Sequence, residues 1–236
     1  MGERQGRALL TRRALIRSAA RRFDRHGYAR TKVNDISAGA GVSPGALHFH
    51  FENKAAVARA VEAAGAGMLW SAGRIAYRAN PGALQALTDM SQAFARLLLW
   101  DVVARASFRL GTDTGWAPTQ ALDHEWHNCV ERLLAEAARN DELSSHVELV
   151  GSTCAVVTAT TGVGLLIEEG AREQARTALT GFWQVFLPGL ARPEVAARLE
   201  PNGRSSVLTD AVAVSGSALA RMRETEPGIV RRVPSP

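Results

Sequence analysis

The chain has 236 residues, 46% hydrophobic and 22% charged, which suits a soluble globular protein and excludes collagen-like and wholly disordered chains. The net charge of +5 is uneven, because residues 1–32 carry ten basic side chains against Glu3 and Asp24. A basic block on a nearly neutral body points to a polyanion at one end of the molecule.

Helical periodicity dominates, and no alternating β-branched run is bounded by tight-turn dipeptides. Over residues 7–26, Ile16, Ala19, Ala20 and Phe23 share one face while Arg13, Arg17 and Arg21 share the other. This predicts an amphipathic helix with a cationic face, ended by Gly27. Thr31 is placed to cap a short helix running to about Ala38, broken by Gly39-Ala40-Gly41. Ser43 caps the next helix with Pro44 at its first position, where the missing N–H costs nothing. Asn53 caps another over residues 54–77, stopped by Asn80-Pro81-Gly82.

Longer helices follow over residues 83–110, 122–140, 148–168 and 172–187, the last ended by Pro188-Gly189. Beyond Pro193 come a short helix, the Pro201-Asn202-Gly203 turn and a weaker amphipathic stretch over residues 208–223. Residues 149–167 contain no charge. Their four threonines, one serine and three glycines suit a core or subunit-interface helix better than a membrane span.

The two short helices form a helix-turn-helix, with Ile36, Val42, Leu47 and Phe51 spaced to pack inward. The second presents Ser43, Pro44, Gly45, Ala46, His48 and His50 outward; small residues at its start allow close backbone approach. His48, His50 and Lys54 are placed to reach phosphates. Thr31, Lys32 and Val33 meet the DNA backbone at the start of the preceding helix, and base edges near Pro44–Ala46 specify sequence.

The string Thr31, Ile36, Ala40-Gly41-Val42-Ser43, Gly45, Leu47, Phe49-His50-Phe51 and Lys54 resembles the tetracycline-repressor (TetR) family of bacterial regulators. His48 departs from the tyrosine usual there, and an imidazole contact would depend on pH. Further segments are similar to the γ-butyrolactone autoregulator receptors of actinomycetes. They are residues 101–105, Glu125-Trp126, Thr161-Gly162, Phe182-Trp183, Leu187-Pro188 and residues 201–204.

The resemblance implies an all-α fold in three parts. Residues 1–60 bind DNA, residues 61–200 form a ligand-binding and dimerisation domain, and residues 201–236 are a partly flexible extension. It implies a cytoplasmic homodimeric repressor that leaves its operator when a small hydrophobic ligand binds. It also implies that the indole of Trp126 stacks on the ligand and the hydroxyl of Thr161 hydrogen-bonds it. In that group true receptors tend to be acidic and pseudo-receptors, which answer to antibiotics or biosynthetic intermediates, basic. The isoelectric point of about 10.0 leans to the latter.

Other readings of the same residues are weaker. Gly41-Val42-Ser43-Pro44-Gly45 matches a nucleophile elbow but lacks the preceding strand, so no enzyme is expected. His124 and His127 are three apart with no third ligand, so neither a metal nor another cofactor is expected. Trp126 and Val130 lie on one apolar stripe, where a tryptophan is more often core. Trp100 and Trp116 are lesser ligand candidates, and Trp70 and Trp183 read as packing. Cys129 and Cys154 read as buried hydrophobes in a reducing compartment, too few for a disulfide scaffold. A helical small-molecule binder without specific DNA binding, or an architectural DNA protein, stays open as an alternative.

Overall fold

The structure is a computed structural model describing residues 2–79, 82–119 and 122–221. It is all-α among the described residues, apart from one isolated bridge between Leu143 and Ala191. Helix α1 (Gly2–Arg30) is kinked at Gly27, whose φ of 73° lies in the left-handed region. Helices α2 (Val33–Gly39) and α3 (Pro44–His50) follow, then α4 (Lys54–Arg78). Leu15, Ile16, Phe23, Ile36 and Leu47 are fully or almost fully buried, with Phe51 beside them, so the first three helices share one small core.

Two expected caps are present. Ser43 accepts the amide of Ala46, and Asn53 accepts that of Ala56 at 2.9 Å. Thr31 corrects a third: its hydroxyl donates to the carbonyl of Gly27 at 2.8 Å, and α2 has Lys32 at its cap position without a side-chain bond. The hydroxyl is drawn to the carbonyl left open by the kink at Gly27.

The helix expected over residues 83–110 is two, α5 (Ala83–Trp100) and α6 (Val102–Thr112). Asp101 adopts extended φ/ψ between them, and its carboxylate accepts the amides of Val103 and Ala104, a stronger start signal than helical periodicity across the break. Helices α7 (Leu122–Arg139), α8 (Leu149–Glu168) and α9 (Arg172–Leu190) complete the second layer. Pro188 sits inside α9 rather than ending it; so near the end of the helix it removes only one late hydrogen bond.

A short α10 (Pro193–Ala196) leads to α11 (Ser205–Arg221), which packs along α4 and α5. Its Val207, Leu208 and Ala211 are buried. Gly203 turns the chain with φ 69°, and Arg204 pairs with fully buried Asp89 at 3.2 Å. The start of the expected extension is therefore fastened to the body. Asn80, Pro81 and the chain beyond Arg221 lie outside the described residues.

Candidate nucleic-acid interface and effector core

Helix α3 exposes Ser43, Pro44, Gly45, His48 and Phe49, with Ala46 and His50 half-buried. Phe49 was missed by sequence reasoning; at 81% exposed it is the most solvent-accessible large apolar side chain on this helix. Lys32 is exposed and Val33 half-buried against the core. Burial and the nearby Arg12 guanidinium both hold the imidazole of His50 below its ordinary pKa. Arg12 also lies over the Phe51 ring, 5.1 Å from its centroid.

Thr31 and Lys54, expected at phosphates, are engaged with main-chain carbonyls of the protein itself. Thr31 is buried and its hydroxyl is used internally. The Lys54 ammonium donates to the carbonyls of Tyr28, Ala29 and Thr31 at 3.0–3.3 Å and lies 4.3 Å from the Tyr28 ring centroid. An ammonium has three N–H groups, and all three are directed at the end of α1. Lys54 ties α4 to α1.

A second set of contacts ties α1 to α6 and the loop behind it. The Asp24 carboxylate pairs with Arg105 at 3.2 Å, and Arg109 donates to the Asp24 carbonyl. The Asp113 carboxylate accepts from the amides of Tyr28 and Gly115. The Trp116 indole donates to buried Glu62 of α4 at 2.8 Å, and the Thr119 hydroxyl donates to the same carboxylate at 2.7 Å. Arg105 lay within a family-like segment; Asp24, Asp113 and Glu62 gave no sequence signal, because Arg105, Tyr28 and Trp116, which they meet, lie 54 to 85 residues away.

In the larger domain, Trp126 is 7% exposed and Val130 fully buried. The Trp126 indole N–H donates to the hydroxyl of Thr160 at 2.7 Å, and Thr160 itself donates to the carbonyls of Val156 and Val157. Thr161, expected to hydrogen-bond a ligand, is not the threonine that meets Trp126. Thr161 lies on the exposed face of α8 with Cys154, Thr158 and Leu165, because one step along a helix turns a side chain by about 100°. Trp100, a lesser ligand candidate, is 68% exposed, with the Arg176 guanidinium over its ring. Cys129 is buried, its thiol pushed up to about 11 by desolvation, whereas Cys154 is exposed against expectation.

Rings continue from Trp126 to Phe94 at 4.8 Å between centroids, and from Phe94 to Trp70 at 5.9 Å. This apolar core spans α4, α5 and α7, so the helix that carries Lys54 at one end carries Trp70 further along.

Residues 15–61 match the family model described as bacterial regulatory proteins, tetR family. Over 209 residues the chain is 30% identical to the A-factor receptor protein of Streptomyces griseus, covering 88% of this chain and 74% of that protein. CprB from Streptomyces coelicolor, a TetR family protein studied in complex with its biological operator sequence, superposes with a TM-score of 0.68 at 26% identity. That match covers 89% of this chain and 99% of CprB. A γ-butyrolactone receptor (ArpA-like protein) gives a TM-score of 0.69 over 91% of this chain and 100% of its own, at 24% identity, a likeness of fold. A helix-turn-helix that matches the family model and a relative similar along most of both chains lead to one conclusion: this chain belongs to the tetR family of bacterial regulatory proteins, in the group of the A-factor receptor protein, and is a transcriptional regulator.

Proposed function

We propose that the protein is a cytoplasmic homodimeric repressor of secondary-metabolism genes that is released from a pseudo-palindromic operator by a small hydrophobic signal. The carrying observation is that α4 touches both ends of the device: Lys54 grips the end of α1, and Trp70 belongs to the aromatic core around Trp126. Pro44, Gly45, Ala46 and His48 of α3 meet base edges and phosphates, with Ser43, Lys32 and His50 at the rim. A ligand entering beside Trp126, Val130 and Thr160 displaces α4 and changes the spacing of the two recognition helices. Reversing a 99:1 preference requires the ligand to favour the released state by about 5.5 kcal/mol.

The dimer reading is supported by α8, which has a mean hydropathy of 1.7 over its most apolar window while only 28% of that window is buried. Its exposed side includes Val150 and Leu165, and α9 adds Val185 at 83% exposure. A second copy covers this surface. The signal is of γ-butyrolactone type or an antibiotic-type intermediate, and the basic composition favours the latter.

The test is fluorescence anisotropy on the duplex upstream of the protein's own gene, at two salt concentrations, with and without a synthetic γ-butyrolactone. Tight, salt-sensitive binding that the lactone releases identifies a lactone receptor; tight binding that ignores it directs the search to antibiotic intermediates. Trp126→Ala is expected to keep DNA binding and lose release. Release at the wild-type ligand concentration in that variant refutes the pocket, and absence of duplex binding refutes the repressor reading.

A further inference from the structure

We propose that the polar cleft where the C-terminal ends of α1, α6 and α8 converge is a second binding site, for a small zwitterion that offers an ammonium group to Glu168 and Asp113 and an anionic group to Arg30 and His26. The effect of such a ligand on release rests on the effector-released reading above; its binding does not.

The cleft has a volume of about 490 Å³, within the size range of small-molecule sites. Its walls are the last turns of α1, the end of α6 with the loop to Gly115, and Glu168 at the end of α8. None of Trp70, Phe94 and Trp126 lines it, so it is separate from the aromatic core. A helix C-terminus leaves carbonyls open and gathers negative partial charge, and three such ends meet here. Gly27 brings the acidic wall close: a Cβ there would lie 2.9 Å from the Asp113 carboxylate. The kink of α1 thus opens room where a side chain would fill it.

The charges define the ligand's chemistry. Asp113 accepts two main-chain amides, and Glu168 accepts the Thr112 hydroxyl at 3.3 Å. Among the described residues neither carboxylate forms an ion pair, whereas Asp24 behind them is matched by Arg105 at 3.2 Å. Arg109 also lines the cleft, but it donates to the Asp24 carbonyl. Desolvation pushes the Glu168 carboxyl up, and Asp24 and Asp113 add to it against Thr112 and Arg109. A cation delivered to this wall relieves that crowding of negative charge. Among the described residues no group of three His, Cys, Asp or Glu side chains is placed to hold a metal ion. The fitting cation is therefore one that donates hydrogen bonds, an ammonium. On the α1 side, Arg30 and His26 are exposed, and among the described residues their side chains make no hydrogen bond or ion pair. An acidic wall facing a basic one suits a ligand with both charges. Such a ligand joins α1 to α8 beside the bond between Tyr28 and Asp113, so it braces the DNA-binding helices against the core and opposes release.

The experiment follows the backbone amide ¹⁵N–¹H resonances of Thr112 and Gly115 in the full-length protein during titration with 4-aminobutyrate, butylammonium and butyrate. The expected result is a saturable shift with 4-aminobutyrate and binding of the two singly charged probes at least about tenfold weaker. Glu168→Gln is expected to weaken 4-aminobutyrate binding about tenfold, and Arg30→Gln, at the exposed rim, about threefold. If no probe gives a saturable shift, or if both variants bind 4-aminobutyrate as the wild type does, the site is wrong. Butylammonium binding as tightly as 4-aminobutyrate overturns the zwitterion assignment. In the anisotropy assay, saturating 4-aminobutyrate is expected to raise the lactone concentration needed for release, and to do so less in Glu168→Gln. A saturable shift in a protein that no signal releases from its duplex upholds the site and refutes the release reading. Release by the lactone without any probe shift does the reverse.

Discussion

The main-chain N–H of Tyr28 donates to the Asp113 carboxylate at 2.7 Å, joining the segment just past the kink of α1 to the loop that follows α6. The same carboxylate accepts from Gly115 at 2.8 Å, which places Trp116 4.6 Å from the Tyr28 ring. Removing Asp113 leaves a partly buried amide without an acceptor, a loss of about 1–3 kcal/mol. Asp113→Ala is therefore expected to lower stability by that amount in chemical denaturation and to reduce ligand-driven release more than operator affinity. Asp113→Asn keeps one acceptor oxygen and is expected to fall between.

Lys54 separates a structural role from a DNA contact. Its three bonds to carbonyls of the α1 end are charge-assisted, and losing them costs about 1.5–3 kcal/mol. Lys54→Ala is expected to lower the melting temperature while leaving the salt dependence of duplex binding unchanged, since no phosphate contact is removed. A salt slope shallower by about one ion would instead mark Lys54 as a phosphate ligand.

Two glycines of α4 are expected to respond in opposite directions. A Cβ on Gly65 would lie 2.2 Å from the Ser107 Cβ and 3.0 Å from the Val103 carbonyl, so α4 and α6 are in contact there through backbone. Gly65→Ala is expected to destabilise by about 1–3 kcal/mol through overpacking. Gly67 meets nothing within 4 Å, and Gly67→Ala is expected to stabilise by up to about 1 kcal/mol through helix propensity. Paired thermal melts read both.

Glu168 carries a pH signature. Desolvation raises its pKa, helped by Asp24 and Asp113 and opposed by the Thr112 hydroxyl and Arg109. A carboxyl raised in the folded state favours folding most when protonated, so its contribution is present below the unfolded pKa near 4.5 and lost as pH rises through the raised value. Glu168→Gln retains an acceptor for Thr112 and is expected to exceed the wild type in stability at pH 7. The difference should vanish below about pH 4.5 in denaturation curves across pH.

The helix-turn-helix was legible because its signals are local. Ser43 and Asn53 cap within three residues, and Ile36, Leu47 and Phe51 announce their burial by spacing. What the sequence hid depends on distance or on rotation. The start of α5 is capped by Glu142, which accepts the amides of Ala83 and Leu84 from 58 and 59 residues away. That Trp126 meets Thr160 rather than its neighbour Thr161 was not legible, because the rotation of α8 is set by packing against α7 and α9 rather than by its own nearly uniform apolar sequence. Asp101 was readable as a cap, but apolar periodicity running through it masked the break.

The packing of α11 along α4 has a consequence for synthesis on the ribosome. Helix α4 ends at Arg78, yet the helix that packs along it begins only at Ser205. While the intervening helices are being added, the small apolar side chains on that face of α4 stay open to water and to other nascent chains. The DNA-binding helices, whose own core closes by Phe51 and Val57, thus fold well before the helix that will govern them is held in place.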